Sequence, residues 1–162
     1  MKRAGIEVPV KNLPPLDPDF LPILQFNRAF LATAKKPVDI AVERASGQMA
    51  VCHTFIHDTP EMAEADRYYL NRLVKTILWM KGGYKVYVAG SEAACKYLQE
   101  DFSLSGCQDF DFDYMGNVFE NPFQVVLCDK VPEAKDDPKA IGRHMDGCRI
   151  GFDAGGSDRK VS

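Results

Sequence analysis

Segments typical of β-strands and of α-helices alternate along the middle of this chain, and this order constrains the fold more than any other feature. Two β-rich runs within residues 38–56 flank a turn at residues 45–47, which predicts a hairpin. Apolar residues at helical spacing then predict a helix that ends before Gly82. A strand, a helix capped by Ser91 and a strand at residues 123–129 follow. This alternation predicts an α/β fold, with a mixed sheet and flanking helices.

The chain divides into four predicted segments. A proline-containing arm and a helix at about residues 18–35 occupy residues 1–36, and the α/β domain covers residues 37–130. Residues 131–148 are polar, charged and interrupted by proline and glycine, which predicts a linker. Residues 149–162 read as a strand, a glycine turn and the start of a second strand.

The composition excludes several classes of protein. Of 162 residues, 46% are hydrophobic and 27% are charged, and the net charge of −3 gives no electrostatic signature of a nucleic-acid or anionic-membrane partner. The N-terminus lacks the apolar segment of a signal peptide. The number of cysteines is odd and none form a C-x-x-C pair, so we expect free, mostly buried thiols in a cytoplasmic protein.

An acidic stretch, QDFDFDYMGNVFE, places Asp109, Asp111 and Asp113 at alternate positions, with Glu120 eleven residues after the first. This spacing resembles that of a calcium loop, but Tyr114 stands where such a loop needs glycine. We favour a strand that exposes its acids to solvent and buries its aromatic residues.

Two further patterns have structural interpretations that we favour. His53 and His57 would share one face of a strand, but no cysteine or carboxylate pattern accompanies them. Gly90 and Ser91 lie where a strand meets a helix N-terminus, a kind of junction that can bind anions. Helix capping is the more common role of such a serine.

The final segment, RIGFDAGGSDRKVS, combines an acid, two glycines, a hydroxyl and a basic residue. Gly155 and Gly156 allow positive φ and a close approach of the backbone to a phosphate, whose oxygens successive N–H groups can bind. Ser157 can donate its hydroxyl. The alternative is an ordinary glycine hairpin that carries a solvated acid.

The motif D-A-G-G-S-D-R-K after the strand R-I-G-F resembles the first phosphate loop of the actin-like ATPase superfamily, and within it the ROK (repressor, open reading frame, kinase) sugar kinases. The resemblance covers about fourteen residues. It implies an RNase H-like fold, ATP and Mg²⁺ as cofactors, and a sugar as substrate. It implies that Asp153 faces the magnesium–phosphate centre through water and that Gly155, Gly156, Ser157 and Lys160 contact or neutralise the phosphates.

The family also needs a second phosphate loop, an adenosine loop and a catalytic aspartate, all downstream of the first loop. We therefore expect this chain to be the N-terminal part of a sugar kinase, a partial actin-like domain that continues beyond Ser162 and is inactive alone. The alternative is a non-catalytic α/β module for interaction or regulation. We expect no nucleic-acid or membrane partner, and a homodimer is left open.

A weaker similarity links two parts of the chain. The segment I-A-V-E-R-A-S-G-Q-M-A-V aligns with I-G-F-D-A-G-G-S-D-R-K-V, so that Glu43 matches Asp153 and Val51 matches Val161. This alignment would make the earlier hairpin a degenerate copy of the phosphate loop, with only Gly47 left in its turn.

Overall fold

The computed structural model of the chain describes residues 1–137, 142 and 146–161. The strands of these residues are β1 (Lys2–Arg3), β2 (Ile6–Glu7), β3 (Lys36–Glu43), β4 (Met49–Ile56), β5 (Lys85–Ala89), β6 (Gln124–Leu127), β7 (Phe152–Ala154) and β8 (Arg159–Val161). Their helices are α1 (Ile23–Thr33), α2 (Ala63–Lys81), α3 (Glu92–Asp101) and α4 (Asp109–Phe119). No helix of the described residues combines the length and the apolar character needed to cross a membrane.

The central sheet contains four strands in the order β4–β3–β5–β6. Strand β3 is antiparallel to both β4 and β5, whereas β5 and β6 are parallel. The protein therefore has a mixed α/β fold with a mixed sheet and flanking helices, as the alternation of segments predicts. The strands β1 and β2 pair with each other, as do β7 and β8.

One face of the sheet carries the main hydrophobic core. Val38, Ile40 and Val42 of β3 are at most 1% exposed, since alternate residues of a strand point to the same face. The helices bury apolar residues in the same cluster, among them Phe26, Phe30, Leu70, Val74, Leu78, Leu98 and Met115. Burial of one such side chain contributes about 1.5–3 kcal/mol, so this face holds most of the apolar stabilisation.

The other face of the sheet is covered in part by the segment that follows β6. Val131 is buried there with Ala41 and Ala89. Farther on, Lys135 exchanges two backbone hydrogen bonds with Met49, at N–O distances of 2.8 and 3.1 Å. The start of the predicted linker thus packs against the sheet, whereas residues 138–141 and 143–145 of that linker lie outside the described residues.

The helix ends follow the capping residues of the sequence. Helix α3 begins after Ser91, whose Oγ accepts a hydrogen bond from the Ala94 N–H at 3.1 Å, as predicted. Helix α2 ends at Lys81, as predicted, and Gly82 follows with a φ of 75°. Helix α1 is shorter than predicted, because it begins only after Pro22.

Residues 109–119 form helix α4, and the strand predicted there is wrong. Helical spacing buries Asp111 and exposes Phe110 and Tyr114, so the predicted burial pattern is wrong for all three residues. Asp109 and Asp113 are exposed, as predicted. The carboxylate of Asp111 accepts hydrogen bonds from Lys75 Nζ and Trp79 Nε1, both at 2.7 Å. These partners on α2 allow an acid to be buried at this position.

The helix is also incompatible with the calcium-loop alternative. Residues two apart on a helix point about 200° apart, so successive acids of the stretch cannot surround one ion. Asp111 already binds a lysine and an indole, and Asp113 accepts a hydrogen bond from Asn117.

The five cysteines are all free, and the prediction that most are buried is wrong. Cys95 is buried, two others are half-buried, and Cys107 and Cys148 are exposed. Burial raises the pKa of the Cys95 thiol. Burial and then the charge of Asp101 raise the pKa of the Cys107 thiol.

We predict that Asp111→Ala destabilises the fold, because it leaves the Trp79 indole N–H and the Lys75 ammonium without their buried acceptor. The free energy of unfolding should fall by about 1–3 kcal/mol. Urea unfolding measures the change, and Asp113→Ala on the exposed side of α4 is the matched control, with an expected change within about 0.5 kcal/mol. Equal effects of the two changes would contradict the burial of Asp111.

We predict that the thiols of the native protein alkylate in the order Cys148, Cys107, Cys95. Cys148 is exposed, the raised pKa of Cys107 lowers its thiolate fraction, and Cys95 is shielded by the core. Mass spectrometry of a time course with iodoacetamide at about pH 8 gives the order. Labelling of native Cys95 as fast as Cys148 would show that α3 does not pack as described.

Candidate functional site

The glycine-rich segment forms a hairpin of β7 and β8. Asp153 pairs with Lys160 across the hairpin, and Ala154 pairs with Arg159. The Gly155 N–H donates to the Asp158 carbonyl at 2.8 Å and closes the loop. Every described residue from 146 to 161 is exposed, so the whole motif is accessible to a ligand.

The hairpin brings together the acid and the base that the sequence singles out. Asp153 and Lys160 are directly opposite each other, and such pairs project to the same face. A cavity of about 290 Å³ lies beside them, also lined by Gly151, Phe152 and Val161. The Lys160 ammonium lies 3.4 Å from Asp158 Oδ2, in an exposed ion pair of the kind that contributes only about 0–1 kcal/mol. Lys160 can therefore exchange this partner for another anion at little cost.

The two glycines of the turn play different roles. A Cβ on Gly155 would lie 2.9 Å from Asp158 Oδ1 and 3.0 Å from its carbonyl oxygen, so a side chain would crowd the turn. A Cβ on Gly156 would meet no atom within 4 Å. Neither glycine has a positive φ, so the hairpin does not use the backbone freedom that glycine would permit at these positions.

The tip of the hairpin carries hydrogen-bond donors that remain available. Within the described part of the chain, the backbone N–H groups of Gly156 and Ser157 and the Ser157 hydroxyl have no hydrogen-bond partner. Adjacent free N–H groups beside an open glycine form a surface that can bind an oxyanion.

The hairpin differs from the one formed by β3 and β4, to which its sequence aligns. Gly155 bonds to Asp158 around a two-residue loop, whereas Arg44 bonds to Gln48 around a three-residue loop. As a result Val161 pairs with Phe152, but the aligned Val51 pairs with Ala41. A shift of one residue moves side chains to the opposite face, so the alignment beyond the turn is wrong.

A polar network that the sequence interpretation missed joins α2 to α3 and α4. Arg67, Asn71, Lys75 and Trp79 are spaced four residues apart on α2, and this spacing was the available signal. The Arg67 guanidinium donates to Asp101 at 2.8 and 2.6 Å, and Asn71 donates to the same carboxylate at 2.7 Å. Because these charges are already paired, the network is a structural connection between the helices.

His53 and His57 contact different carboxylates. His53 Nδ1 lies 2.7 Å from Asp39 Oδ1. His57 Nδ1 lies 3.0 Å from Asp66 Oδ1, and its Nε2 lies 2.9 Å from the Thr33 hydroxyl. We interpret this hydroxyl–imidazole–carboxylate row as structural, because the Thr33 hydroxyl donates to the Phe30 carbonyl at 3.1 Å and its proton is therefore not directed at the imidazole. Asp66 also accepts two backbone N–H groups of the β4–α2 connection.

The hairpin of β7 and β8 is therefore the best-supported candidate site, since it combines free donors, an open glycine and an exchangeable cation. Among the described residues, no group of three or more histidine, cysteine or acidic side chains could hold a metal ion. Asp153, the predicted magnesium residue, is an exposed carboxylate of this hairpin. Comparison of the chain with protein-family models, with curated proteins and with solved structures finds no match.

Proposed function

We propose that residues 149–161 are the first phosphate loop of an ATP-dependent sugar kinase of the ROK type, whose actin-like domain continues beyond this chain. The observation that supports this most directly is the set of free donors at the hairpin tip, on Gly156 and Ser157. An ATP phosphate carries the oxyanions that such donors bind. The position of Asp153 opposite Lys160 adds a carboxylate and a cation next to that tip.

Each residue of the loop has a distinct task in this proposal. The open side of Gly156 would let the backbone approach the phosphate oxygens without a side chain between them. Lys160 would leave its exposed pair with Asp158 and offset phosphate charge. Asp153 would hold water of a magnesium ion, which neutralises the charge that develops in phosphoryl transfer.

The exposed apolar residues of the hairpin also support a larger domain. Ile150, Phe152 and Val161 are 82%, 65% and 65% exposed. A two-stranded hairpin is at best marginally stable in water, and it gains stability from further strands or a covering helix. Under this proposal the remaining strands of the kinase domain cover these side chains.

A second candidate function is that of a non-catalytic interaction module. One observation favours it: Trp79, Phe110 and Tyr114 form a cluster of exposed aromatic rings on α2 and α4. Exposed aromatic clusters of this kind are enriched at protein interfaces. This function and the kinase function use different parts of the chain and can coexist in one protein.

We predict that the 162-residue chain alone releases no ADP from ATP in the presence of glucose or N-acetylmannosamine. It would supply one phosphate loop but neither the adenosine loop nor the catalytic base. A coupled assay for ADP measures this, with heat-denatured protein as the background. Sugar-dependent ADP release above that background would contradict the proposal that these 162 residues supply only one part of the active site.

We predict that Gly156→Val, made in the longer protein that the proposal implies, weakens ATP binding at least about tenfold, or about 1.4 kcal/mol. The free hairpin has room for the valine, so the loss would come from the lost approach to phosphate. Asp153→Asn should leave ATP affinity within about threefold but lower the phosphoryl-transfer rate by roughly 100-fold or more.

Isothermal titration and a single-turnover assay separate the two effects. Gly142→Val and Asp146→Asn, made outside the hairpin, are the matched controls, and we expect both to behave as the parent. If Gly156→Val and Asp153→Asn also behave as the parent, the turn is an ordinary hairpin and the kinase proposal fails.

A further inference from the structure

Three aromatic side chains on the outer surface of α2 and α4 form an unusual cluster, which we call the aromatic patch: Trp79, Phe110 and Tyr114. They are 51%, 63% and 42% exposed. Their ring planes are parallel to within 13°, and their centroids form a triangle with sides of 5.5, 5.5 and 6.5 Å. The rings therefore offer one continuous apolar surface to the outside.

A buried hydrogen bond and ring stacking hold the aromatic patch in a fixed conformation. The Trp79 indole N–H donates to the buried carboxylate of Asp111, which Lys75 also binds. Phe110 and Tyr114 are four residues apart on α4 and stack on each other. Rings that are already ordered lose little conformational entropy when a partner covers them, which favours binding.

The exposed area of the three rings is large enough for a weak protein–protein interface. An aromatic side chain buries about 150–250 Å² when fully covered, so the three rings leave roughly 250–400 Å² for a partner. Val118, which is 54% exposed and lies four residues after Tyr114, extends the surface along α4. Two such surfaces together bury roughly 500–800 Å², below the roughly 1,200 Å² at the lower end of stable specific interfaces, so the association they support is weak and reversible.

The aromatic patch has a basic residue on α2 and two acidic residues on α4 beside it. Arg72 lies seven residues before Trp79, about two turns, and therefore on the same face of α2. Asp109 and Asp113 are exposed on α4. Within the described part of the chain these three residues form no ion pair.

The two helices run side by side in the same direction. Lys75 contacts Gln108 and Asp111, and farther along both helices Trp79 contacts Tyr114. Arg72 on α2 is therefore at about the level of the first turn of α4.

We propose that a second copy of this chain docks on the aromatic patch, with α2 of each copy facing α4 of the other. A two-fold axis parallel to the helices places Arg72 of one copy opposite Asp109 and Asp113 of its partner. A two-fold axis perpendicular to the helices would instead set α2 against α2 and α4 against α4, so Arg72 would not face these acids. Charge complementarity therefore selects the first arrangement, and the modest area gives a reversible dimer with a Kd in the micromolar range.

Sedimentation equilibrium of the 162-residue chain from about 1 to 300 µM tests the dimer. We expect Phe110→Glu to raise the Kd at least about 30-fold, since it places a charge in the apolar centre. Phe55→Glu, which changes an exposed phenyl ring on β4, is the matched control and should leave the Kd unchanged. Thermal unfolding at low concentration verifies that Phe110→Glu is folded.

The chain has a single tryptophan, Trp79, which reports directly on the surface. Its fluorescence should shift to shorter wavelength as concentration rises through the Kd, and it should not shift in Phe110→Glu. A parent that stays monomeric at about 300 µM, or a dimer that Phe110→Glu leaves intact, overturns the proposal. A dimer that the control Phe55→Glu disrupts also overturns it.

Charge reversal tests the orientation of the two copies. The variant Arg72→Asp should raise the Kd of the dimer about tenfold or more. The double variant Asp109→Arg, Asp113→Arg should have a similar effect. All three changes together should restore most of the affinity, because each new acid then faces new bases. If the triple variant loses as much binding free energy as the sum of the losses in Arg72→Asp and in the Asp109→Arg, Asp113→Arg variant, the proposed arrangement is wrong.

Discussion

The helical layer of this protein depends on a row of polar side chains on one side of α2. Arg67 and Asn71 hold the C-terminus of α3 through Asp101, and Lys75 and Trp79 hold α4 through Asp111. Both carboxylates are almost completely buried, at 2% and 1% exposure. A buried carboxylate that loses its partners is strongly unfavourable, so the row tolerates few alternative arrangements of α3 and α4. Apolar packing brings these helices to the sheet, and the polar row determines how they lie against α2.

This row explains which parts of the fold could be predicted from the sequence. The β3–β4 hairpin, the end of α2 and the cap of α3 depend on residues close together in the chain, such as Ser91 and Gly82, and these predictions are confirmed. Helix α4 could not be predicted in the same way. Its acids alternate as on a strand, and Asp111 can be buried only because of partners 32 and 36 residues earlier.

The candidate site shows the same division between local and distant effects. The sequence predicts the strand–turn–strand geometry around Asp153 and Lys160, since the pattern of these residues is local. It does not predict the φ values of Gly155 and Gly156, neither of which is positive, because a glycine pair permits both signs of φ and the sequence does not select between them. The aromatic patch combines residues from two helices, so only the packing of α4 on α2 makes it visible.

The edge of the central sheet has a consequence of a different kind. Lys135 pairs with Met49, so the backbone groups of Met49 point away from the sheet. Alternate residues of a strand point the same way, and hence Val51, His53 and Phe55 also direct their N–H and C=O groups outward. Among the described residues no strand pairs with β4 at this edge, and an unpaired edge can accept a strand from another molecule. The part of this edge beyond Lys135, from Val51 to Phe55, is therefore one place at which ordered aggregates can grow in concentrated or partly unfolded protein.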